Sequence, residues 1–390
     1  MQKSFNYIII FLSVLLIACQ SNEKESDAAC HLVATEDFLE FSVPSDASMF
    51  IKSMQAFEGE DGKSYFSFLS NEVPEIYFYD IETKDRIKTI HLDTEGPDGI
   101  GRKAGGFYMA DWNRIYVPDV YLSQISVVDS TGHKLNALKF DALAPDYLFI
   151  PTSSLIASPL LELEGKLYAS QKPNPRLGGD ARRGSTTEMI IRLDSCKAHP
   201  FAFHYPSSAL TNYSPGQSSL GLAWRMSRCF NGSELVYSFG LDENVYVVSL
   251  DGNEVAKHQV ESRFIKALEN PKAPDDFMLG IQTLCENPFY GNIYYDKYRR
   301  LYYRVAYPQE DYDKEENFVD LWQFGRGKFS IIVLNEDFEV LGETLFPAFS
   351  YRSDLVLILE DGVYLSTSHF KREDYSDDVL RFQRMELVER

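Results

Sequence analysis

The chain of 390 residues has little cysteine and histidine, with five and seven residues respectively. The four cysteines beyond the amino-terminal segment are Cys30, Cys196, Cys229 and Cys285, and none belongs to a C-x-x-C pair or a Cys/His cluster. Zinc sites need such clusters, so the sequence predicts no metal site. In an oxidising compartment the four cysteines allow three disulfide pairings, and the sequence does not choose among them.

Basic residues are scarce relative to acidic ones. Lys and Arg number 38 against 58 Asp and Glu, which gives a formal net charge of −20. A nucleic acid or an anionic membrane surface would need a basic face on its partner. The charge balance therefore disfavours both, and we predict no nucleic-acid binding.

Familiar catalytic and cofactor motifs are also missing. No glycine-rich loop ends in Gly-Lys-Ser/Thr, as a phosphate cradle requires, and no Gly-x-Ser-x-Gly elbow carries a serine nucleophile. A glycosidase needs two carboxylates about 5 to 10 Å apart, and the 58 acidic residues do not identify such a pair. We predict no cofactor and assign no catalytic residue.

One apolar run is present, at the amino terminus. It covers residues 7–17 and is followed at once by polar residues, which is typical of a secretory signal and too short for a membrane span. Its end, LIAC with Cys19 last, resembles the bacterial lipobox, in which the chain is cut before the cysteine and the thiol is acylated. The resemblance implies a signal peptide at 1–18, an acylated Cys19 with a polar tether over 19–31, and membrane attachment through the lipid. Gln20 implies, by the same resemblance, an outer membrane lipoprotein facing the periplasm or the cell surface.

The rest of the chain repeats one pattern of short alternating strands rich in aromatic residues, which make up 14% of the sequence. Each unit has four strands joined by polar turns, as in GFYMADWNRIYVPD at 106–119 and the residues after it. The second strands of six units begin 50 to 68 residues apart, a period typical of propeller blades. These strands begin near Tyr65, Ile115, Leu167, Leu235, Leu301 and Val363.

The sixth unit lacks a fourth strand, and an isolated strand, FLEFSVP at 38–44, precedes the first unit. Pairing between the two would close a ring and leave no blade edge exposed. We therefore predict an all-β, six-bladed β-propeller closed by this strand, as a single domain over 32–390. Seven blades are the main alternative, and paired β-sandwiches or a β-helix fit the period less well. Residues 261–272 are predicted to form a short helix between blades four and five.

These features together resemble the six-bladed propeller lipoproteins of Gram-negative bacteria. The resemblance depends on the lipobox, the strand units and the glycine-rich link EGPDGIG at 95–101, and it covers nearly all of the mature chain. It implies the fold and the location, and it supplies no catalytic residues.

In a propeller, the loops between second and third strands emerge on the same face as the links between blades. Three of these loops are long: QKPNPRLGGDARRGSTTE at 171–188, an acidic loop at 308–327, and 370–378. Long loops on a rigid scaffold commonly carry binding residues, so we predict the function on this face. Arginine forks suit planar anions, although these arginines could instead pair with the acidic loop. The candidate ligand-binding residues are Arg176, Arg182, Arg183, Tyr213, Trp224, Asp311 and Trp322.

Two functions fit this reading. The first is a lipid-anchored envelope protein without catalytic activity that binds a ligand, such as a glycan, or an envelope protein through its loop face. The second is a propeller enzyme, a hydrolase or lyase, that acts on an anionic polysaccharide or related glycan held by the arginines. The absence of a catalytic constellation favours the first.

Overall fold

The computed structural model describes most of the chain beyond the amino terminus. The described residues are 30–70, 72–141, 143–144, 147–173, 184–208, 222–269, 271, 276–313 and 315–389. They form six four-stranded antiparallel sheets. The prediction of an all-β, six-bladed propeller is confirmed, and the alternative of seven blades is wrong.

The strands follow one another around the ring, and the first strand of each unit is innermost. The first strand of the chain, β1 (Cys30–Ser42), belongs to blade six. Blade one contains β2 (Met54–Glu58), β3 (Ser64–Leu69), β4 (Glu75–Asp80) and β5 (Arg86–His91). Blade two contains β6 (Tyr108–Asp111), β7 (Arg114–Pro118), β8 (Gln124–Val128) and β9 (Lys134–Lys139). A small hairpin, β10 (Leu143–Ala144) and β11 (Tyr147–Leu148), lies in the link that follows.

The remaining blades continue the same order. Blade three contains β12 (Leu161–Leu163), β13 (Lys166–Ser170), β14 (Glu188–Arg192) and β15 (Ala198–Pro200). Blade four contains β16 (Met226–Phe230), β17 (Leu235–Phe239), β18 (Asn244–Val248) and β19 (Val255–Gln259). Blade five contains β20 (Phe289–Asp296), β21 (Leu301–Tyr307), β22 (Phe329–Leu334) and β23 (Val340–Phe346). Blade six contains β24 (Arg352–Leu359), β25 (Gly362–Ser366), β26 (Val379–Glu389) and, outermost, β1.

The middle strands of the blades form the core. Every residue of β17 and β22 is buried, whereas the outer strand β19 is mostly exposed. The middle strands are covered on both faces because a blade packs against a neighbour on each side. Among the described residues, one hydrophobic cluster fills each of the six wedges between neighbouring blades. Trp112 illustrates the packing: its ring lies 5.2 Å from Phe78 and 5.6 Å from Phe57, both of the preceding blade.

The ring closes through β1, as predicted, but this strand is longer than the predicted 38–44. It begins at Cys30, opposite Glu389, and ends at Ser42, opposite Val379, with a register shift between Ala34 and Phe38. The strand thus starts two residues before the predicted domain start at 32. Residues 1–29, with the predicted signal peptide and Cys19, lie outside the described residues.

The predicted helix at 261–272 is wrong, because the described part of this segment forms a turn at 263–264 and no helix. Ser262 donates to one carboxylate oxygen of Glu343 at 2.6 Å, and the amide of Arg263 donates to the other at 2.8 Å. This carboxylate thus holds the chain against blade five. The helix of this link, α1 (Phe277–Glu286), begins after Asp276, which caps it by accepting from the amide of Leu279 at 2.8 Å.

A second helix, α2 (Phe318–Phe324), lies in the long loop of blade five and packs against α1. The thiol of Cys285 in α1 contacts the carbonyl oxygen of Phe318 at 3.6 Å. Neither described helix is long and apolar enough to cross a membrane. Cys30, Cys196, Cys229 and Cys285 are all free, so none of the three possible disulfide pairings is present.

Replacing Phe41 in β1 by Ala should destabilise the whole ring. Its ring is fully buried and lies 4.8 Å from Phe66 of blade one and 6.2 Å from Phe382 of blade six. Deleting such a side chain typically costs about 3–5 kcal/mol, which urea denaturation would measure. Glu40→Ala, on the exposed side of the same strand, is the matched control and should cost less than about 1 kcal/mol. Equal losses in the two variants would contradict the assigned role of Phe41.

Candidate functional site

The propeller has two different faces. The turns from first to second and from third to fourth strands lie on one side, the turn face. The loops from second to third strands and the links between blades lie on the other side, the loop face, which also carries α1 and α2. The strand β1 begins at the turn face and ends at the loop face, where the amide of Val43 donates to the carbonyl oxygen of Asp378 at 2.7 Å.

The structure describes three of the seven predicted ligand-binding residues. Trp224 is half-buried at the end of a short 3-10 helix (Leu222–Trp224) and packs against the clusters between blades three and four and between blades five and six. Asp311 is exposed in the loop of blade five, and Trp322 in α2 of the same loop is 46% exposed. Arg176, Arg182, Arg183 and Tyr213 lie outside the described residues.

A segment of the link between blades two and three crosses the central channel; we call residues 153–159 the plug. The amide of Ile156 donates at 2.9 Å to the carbonyl oxygen of Lys52, which precedes the inner strand of blade one. The carbonyl oxygen of Ala157 accepts from the amide of Arg228, at 2.7 Å, and from the hydroxyl of Ser227, at 2.8 Å, both in blade four. The plug is therefore hydrogen-bonded across the channel to inner strands on opposite sides.

Two glycines that precede the inner strand of blade two, Gly105 and Gly106, leave space for the plug. The amide of Ser154 donates to the carbonyl oxygen of Gly105 at 2.8 Å. Gly106 has a φ of +105°, and a Cβ atom there would lie 1.8 Å from the carbonyl oxygen of Ser154. A side chain at this position would be excluded both by the backbone conformation and by the plug.

Five cations lie at the loop-face ends of the strands that surround the plug; we call them the cation funnel. Lys52 and Arg225 precede the inner strands of blades one and four, and Lys172 follows the second strand of blade three. Lys103 lies in the link between blades one and two, and Arg326 lies in the loop of blade five. Five different parts of the sequence thus supply positive charge to one end of the channel.

These cations repel one another. Burial lowers the pKa of Lys52, and Lys103 and Lys172 lower it further. Burial also lowers the pKa of Lys172, with a further contribution from Arg225. Burial lowers the pKa of Arg225, and Arg326 lowers it too. Lys52, Lys172 and Arg225 are nevertheless exposed to solvent. The three side chains thus lie close enough to influence one another at the loop-face end of the channel while they remain in contact with solvent.

Aromatic rings and carbonyl groups support these cations. The amine of Lys52 lies 4.2 Å from the centre of the Phe50 ring, and the guanidinium groups of Arg225 and Arg326 lie 4.6 and 5.2 Å from that of Phe289. Arg326 also donates to the carbonyl oxygen of Asn287 at 2.8 Å. Within the described part of the chain, no carboxylate forms an ion pair with any of the five. Cation–π contacts hold a cation in place without neutralising it, so the funnel keeps its positive charge.

The nearby carboxylate of Asp354 is already engaged. Its two oxygens accept from Nε and Nη2 of the buried Arg352, at 3.2 and 2.8 Å. The acidic loop of blade five is tied to blade six, where Lys371 pairs with Glu316. Among the described residues, no three His, Cys, Asp or Glu side chains are grouped to hold a metal ion.

The sequence analysis did not select the funnel residues, although Lys172 and Arg326 lie within two of the long loops that it singled out. One signal was present in the repeats. Lys52, Arg225 and Arg352 all occur at or just before the start of an inner strand. An alignment of the blades by strand position would have placed these three cations at the loop-face end of the channel, and two of them, Lys52 and Arg225, are funnel residues.

His369, on the loop face, is held in its neutral form. The side chain is fully buried, and its Nε2 lies 3.1 Å from the carbonyl oxygen of Gly325 while its Nδ1 lies 3.2 Å from the amide of Lys371. A carbonyl can only accept and an amide N–H can only donate, so the proton is on Nε2. Burial lowers the pKa of His369 to about 4, and the guanidinium of Arg352 contributes in the same direction.

Stability should therefore fall on acidification below neutral pH. The pKa of His369 is about 4 when folded and about 6.5 when unfolded. The stabilisation is thus complete above pH about 6.5 and is lost as the pH falls towards 4, by up to about 3 kcal/mol. Urea denaturation of the wild type and of His369→Gln at pH 7 and 5 would measure this, with the exposed His91→Gln as control. The wild type should lose more stability on acidification than His369→Gln, and equal losses would contradict the assignment.

Comparisons with known proteins agree with this architecture. The crystal structure of a DUF4221 family member from Bacteroides vulgatus is 26% identical and superimposes with a TM-score of 0.82, covering 93% of this chain and 99% of that chain. The structure of a protein from Bacteroides fragilis that is named "putative exported protein" is 11% identical with a TM-score of 0.53, covering 93% of this chain and 96% of that chain. The second similarity shows the fold alone. No curated protein matches the chain.

The family match begins where the propeller begins. The model of the domain of unknown function DUF4221 matches residues 30–345, from the first residue of β1 to the last strand of blade five. The matched segment includes the plug and all five residues of the cation funnel. The chain therefore belongs to the DUF4221 family.

Proposed function

We propose that this protein is a cell-envelope propeller that binds an anionic ligand at the cation funnel. The observation that carries the proposal is the convergence of five cations, none ion-paired to a described carboxylate, in a chain whose net charge is −20. Elsewhere in the described structure, arginines commonly pair with acids, as Arg381 does with Glu40 and Arg384 with Asp37. The funnel thus brings together five cations that have no ion pair with a described carboxylate.

An anion would relieve the repulsion among these cations. Like charges in one funnel raise the free energy of the empty site, and a carboxylate, sulfate or phosphate group between them converts repulsion into attraction. Arg225 can form two parallel hydrogen bonds to such a group, and Lys52 and Lys172 can each act as a point charge. The plug closes the floor of the funnel, so the ligand would enter and leave from the loop face.

The loop at 171–188 fits this proposal. It begins at the funnel with Lys172 and continues into the segment with Arg176, Arg182 and Arg183. We propose that these arginines add further positive charge for a ligand that extends beyond the funnel. A ligand with several negative charges, such as an acidic or sulfated glycan, would use both. Catalysis on such a glycan stays a prediction. The carboxylate of Asp354, near the funnel, forms an ion pair with Arg352 and is therefore not free to act on a ligand.

Removing one funnel charge should weaken anion binding. Hydrogen bonds to charged groups contribute about 1.5–3 kcal/mol, so we expect Lys172→Met and Arg225→Met each to weaken binding roughly ten- to hundredfold. Isothermal titration with sulfated, polygalacturonate and neutral dextran oligosaccharides of equal length would measure this at 50 and 200 mM NaCl. Chromatography of the same mixtures would reveal any cleavage.

The matched control is Lys166→Met, which removes the same charge from the turn face. It should leave the affinity unchanged. Binding of the anionic oligosaccharides should also weaken at the higher salt concentration, and dextran should not bind. Equal affinity for dextran, or an equal loss with Lys166→Met, would overturn the proposal.

We also propose that the protein is an outer membrane lipoprotein attached through Cys19 with its turn face towards the membrane. Support comes from the lipobox-like LIAC and from the direction of β1, which begins at the turn face. Cys19 and Cys30 are 11 residues apart, a span of roughly 35 Å at full extension. Such a tether keeps the start of β1 close to the lipid, and the funnel then faces away from the bilayer.

The attachment and its orientation can be tested separately. Cys19→Ser should release the protein from the membrane fraction and abolish incorporation of labelled palmitate. For the orientation, a donor dye is placed at Lys166→Cys on the turn face or at Asp311→Cys on the loop face, with the two half-buried cysteines Cys196 and Cys229 replaced by Ser. Energy transfer to acceptor lipids in vesicles should be stronger from position 166. Stronger transfer from position 311 would refute the orientation, and continued membrane retention of Cys19→Ser would refute the anchor.

A further inference from the structure

The central channel contains a cavity on the other side of the plug from the cation funnel. Its volume is about 170 Å³, and its walls are the inner strands of blades one to four together with the plug. We call it the lower cavity. Met54, Leu161 and Phe230 of its lining are only half-buried, so the cavity is accessible from the channel. Its principal apolar lining residues are Met54, Tyr108, Leu155, Leu161, Cys229 and Phe230.

The polar side chains around the lower cavity already have partners. The amide group of Gln55 donates to the carbonyl oxygen of Met109 at 3.0 Å and accepts from the amide of the same residue at 2.9 Å. The hydroxyl of Ser154 donates to the carbonyl oxygen of Phe107 at 2.7 Å and accepts from the amide of Leu160 at 3.0 Å. Both side chains therefore form their hydrogen bonds with backbone groups of the wall, and a polar ligand in the cavity would find few free hydrogen-bond partners on them.

The one charged group of the lining is neutralised. Arg228 is 2% exposed, and its Nη2 donates to the carbonyl oxygen of Pro159 at 2.6 Å. Its Nε lies 3.0 Å from a carboxylate oxygen of the buried Glu188, close enough for an ion pair but without the geometry of a hydrogen bond. Burial raises the pKa of the neighbouring Cys229 thiol to about 12, so this side chain is a neutral, polarisable group at physiological pH. The lower cavity thus differs in chemistry from the funnel, although both belong to the same channel.

We propose that the lower cavity is a binding site for a small apolar group about the size of a benzene ring. An apolar cavity of roughly 150 Å³ in another protein stays dry and binds benzene or xenon. Here the volume is similar, the cavity opens to the channel, and the side chains of Gln55 and Ser154 have hydrogen-bond partners, whereas Nε of Arg228 has an ion-pair partner without a hydrogen bond. An apolar ligand would gain dispersion contacts with the thioether, thiol and rings of the wall, and no buried polar group would lose a partner.

This site is independent of the proposed function, because the plug separates it from the funnel. The expected ligand is a small aromatic or aliphatic compound, or the apolar end of a larger compound that enters the cavity from the turn face. Anions bound at the funnel would neither fill nor require the lower cavity.

The direct test uses crystals of the protein under xenon pressure or soaked in benzene. We expect density for xenon or benzene between Met54, Leu161 and Cys229, below the plug. In solution, benzene and toluene should raise the melting temperature in a saturable way, whereas glycerol at the same concentration should not. A cavity without xenon or benzene density would overturn the proposal.

Variants of Cys229 test whether the rise in melting temperature caused by benzene comes from binding in the lower cavity. Cys229→Phe should fill much of the space and weaken the response to benzene at least tenfold, while Cys229→Ala should retain it. If Cys229→Phe does not fold, Met54→Phe serves the same purpose from the opposite wall. An unchanged response to benzene in a folded filled variant would place the binding elsewhere and contradict the proposal.

Discussion

The pairing of β1 with β26 is the contact on which the rest of the structure depends. Each blade has two apolar faces and can bury both only when it has a neighbour on each side. A row of blades would leave two such faces exposed, and closing the row into a ring leaves none. The closing strand comes from the opposite end of the chain, so blade six is completed by residues 30–42 and its cluster with blade one includes Phe41. The ring geometry then determines where the channel lies and at which face the amino terminus emerges.

A closed ring creates a central channel, and the plug divides it into two environments. The inner strands run from the loop face to the turn face, so their first residues lie at the loop-face end of the channel. Lys52 and Arg225 occupy that end, whereas Met54 and Phe230 lie farther along the same two strands. Cationic and apolar surfaces are thus only a few residues apart in sequence and lie on opposite sides of the plug. The plug can lie this close to the wall because Gly106 has no side chain: a Cβ atom there would clash with the carbonyl oxygen of Ser154.

Arginine has two different uses in this protein. Arg304 is fully buried and donates to the carbonyl oxygens of Asp242, Glu243 and Val260, at 2.6, 2.8 and 2.8 Å, so that it joins blade five to blade four. Arg225 faces solvent in the funnel and has an aromatic ring as its neighbour. The buried arginine stabilises the wedge between blades, and the exposed one contributes charge to the site. Arg304 lies in the middle of β21 and Arg225 just before β16, so their positions along the strands and their surroundings in the fold distinguish them.

The sequence by itself determined the strand units, the six blades and the closing strand, because alternation and period are local properties that survive without any tertiary contact. The prediction of a helix at 261–272 failed, because Ser262 and Arg263 form hydrogen bonds with the long-range partner Glu343 and the chain turns there instead. Three of its seven candidate site residues, Trp224, Asp311 and Trp322, lie among the described residues, and Trp224 contributes to packing as well as lying near the loop face. The cation funnel and the lower cavity were decided only by the tertiary structure. Both gather residues from blades separated by 50 or more positions, and only closure of the ring brings them to one channel.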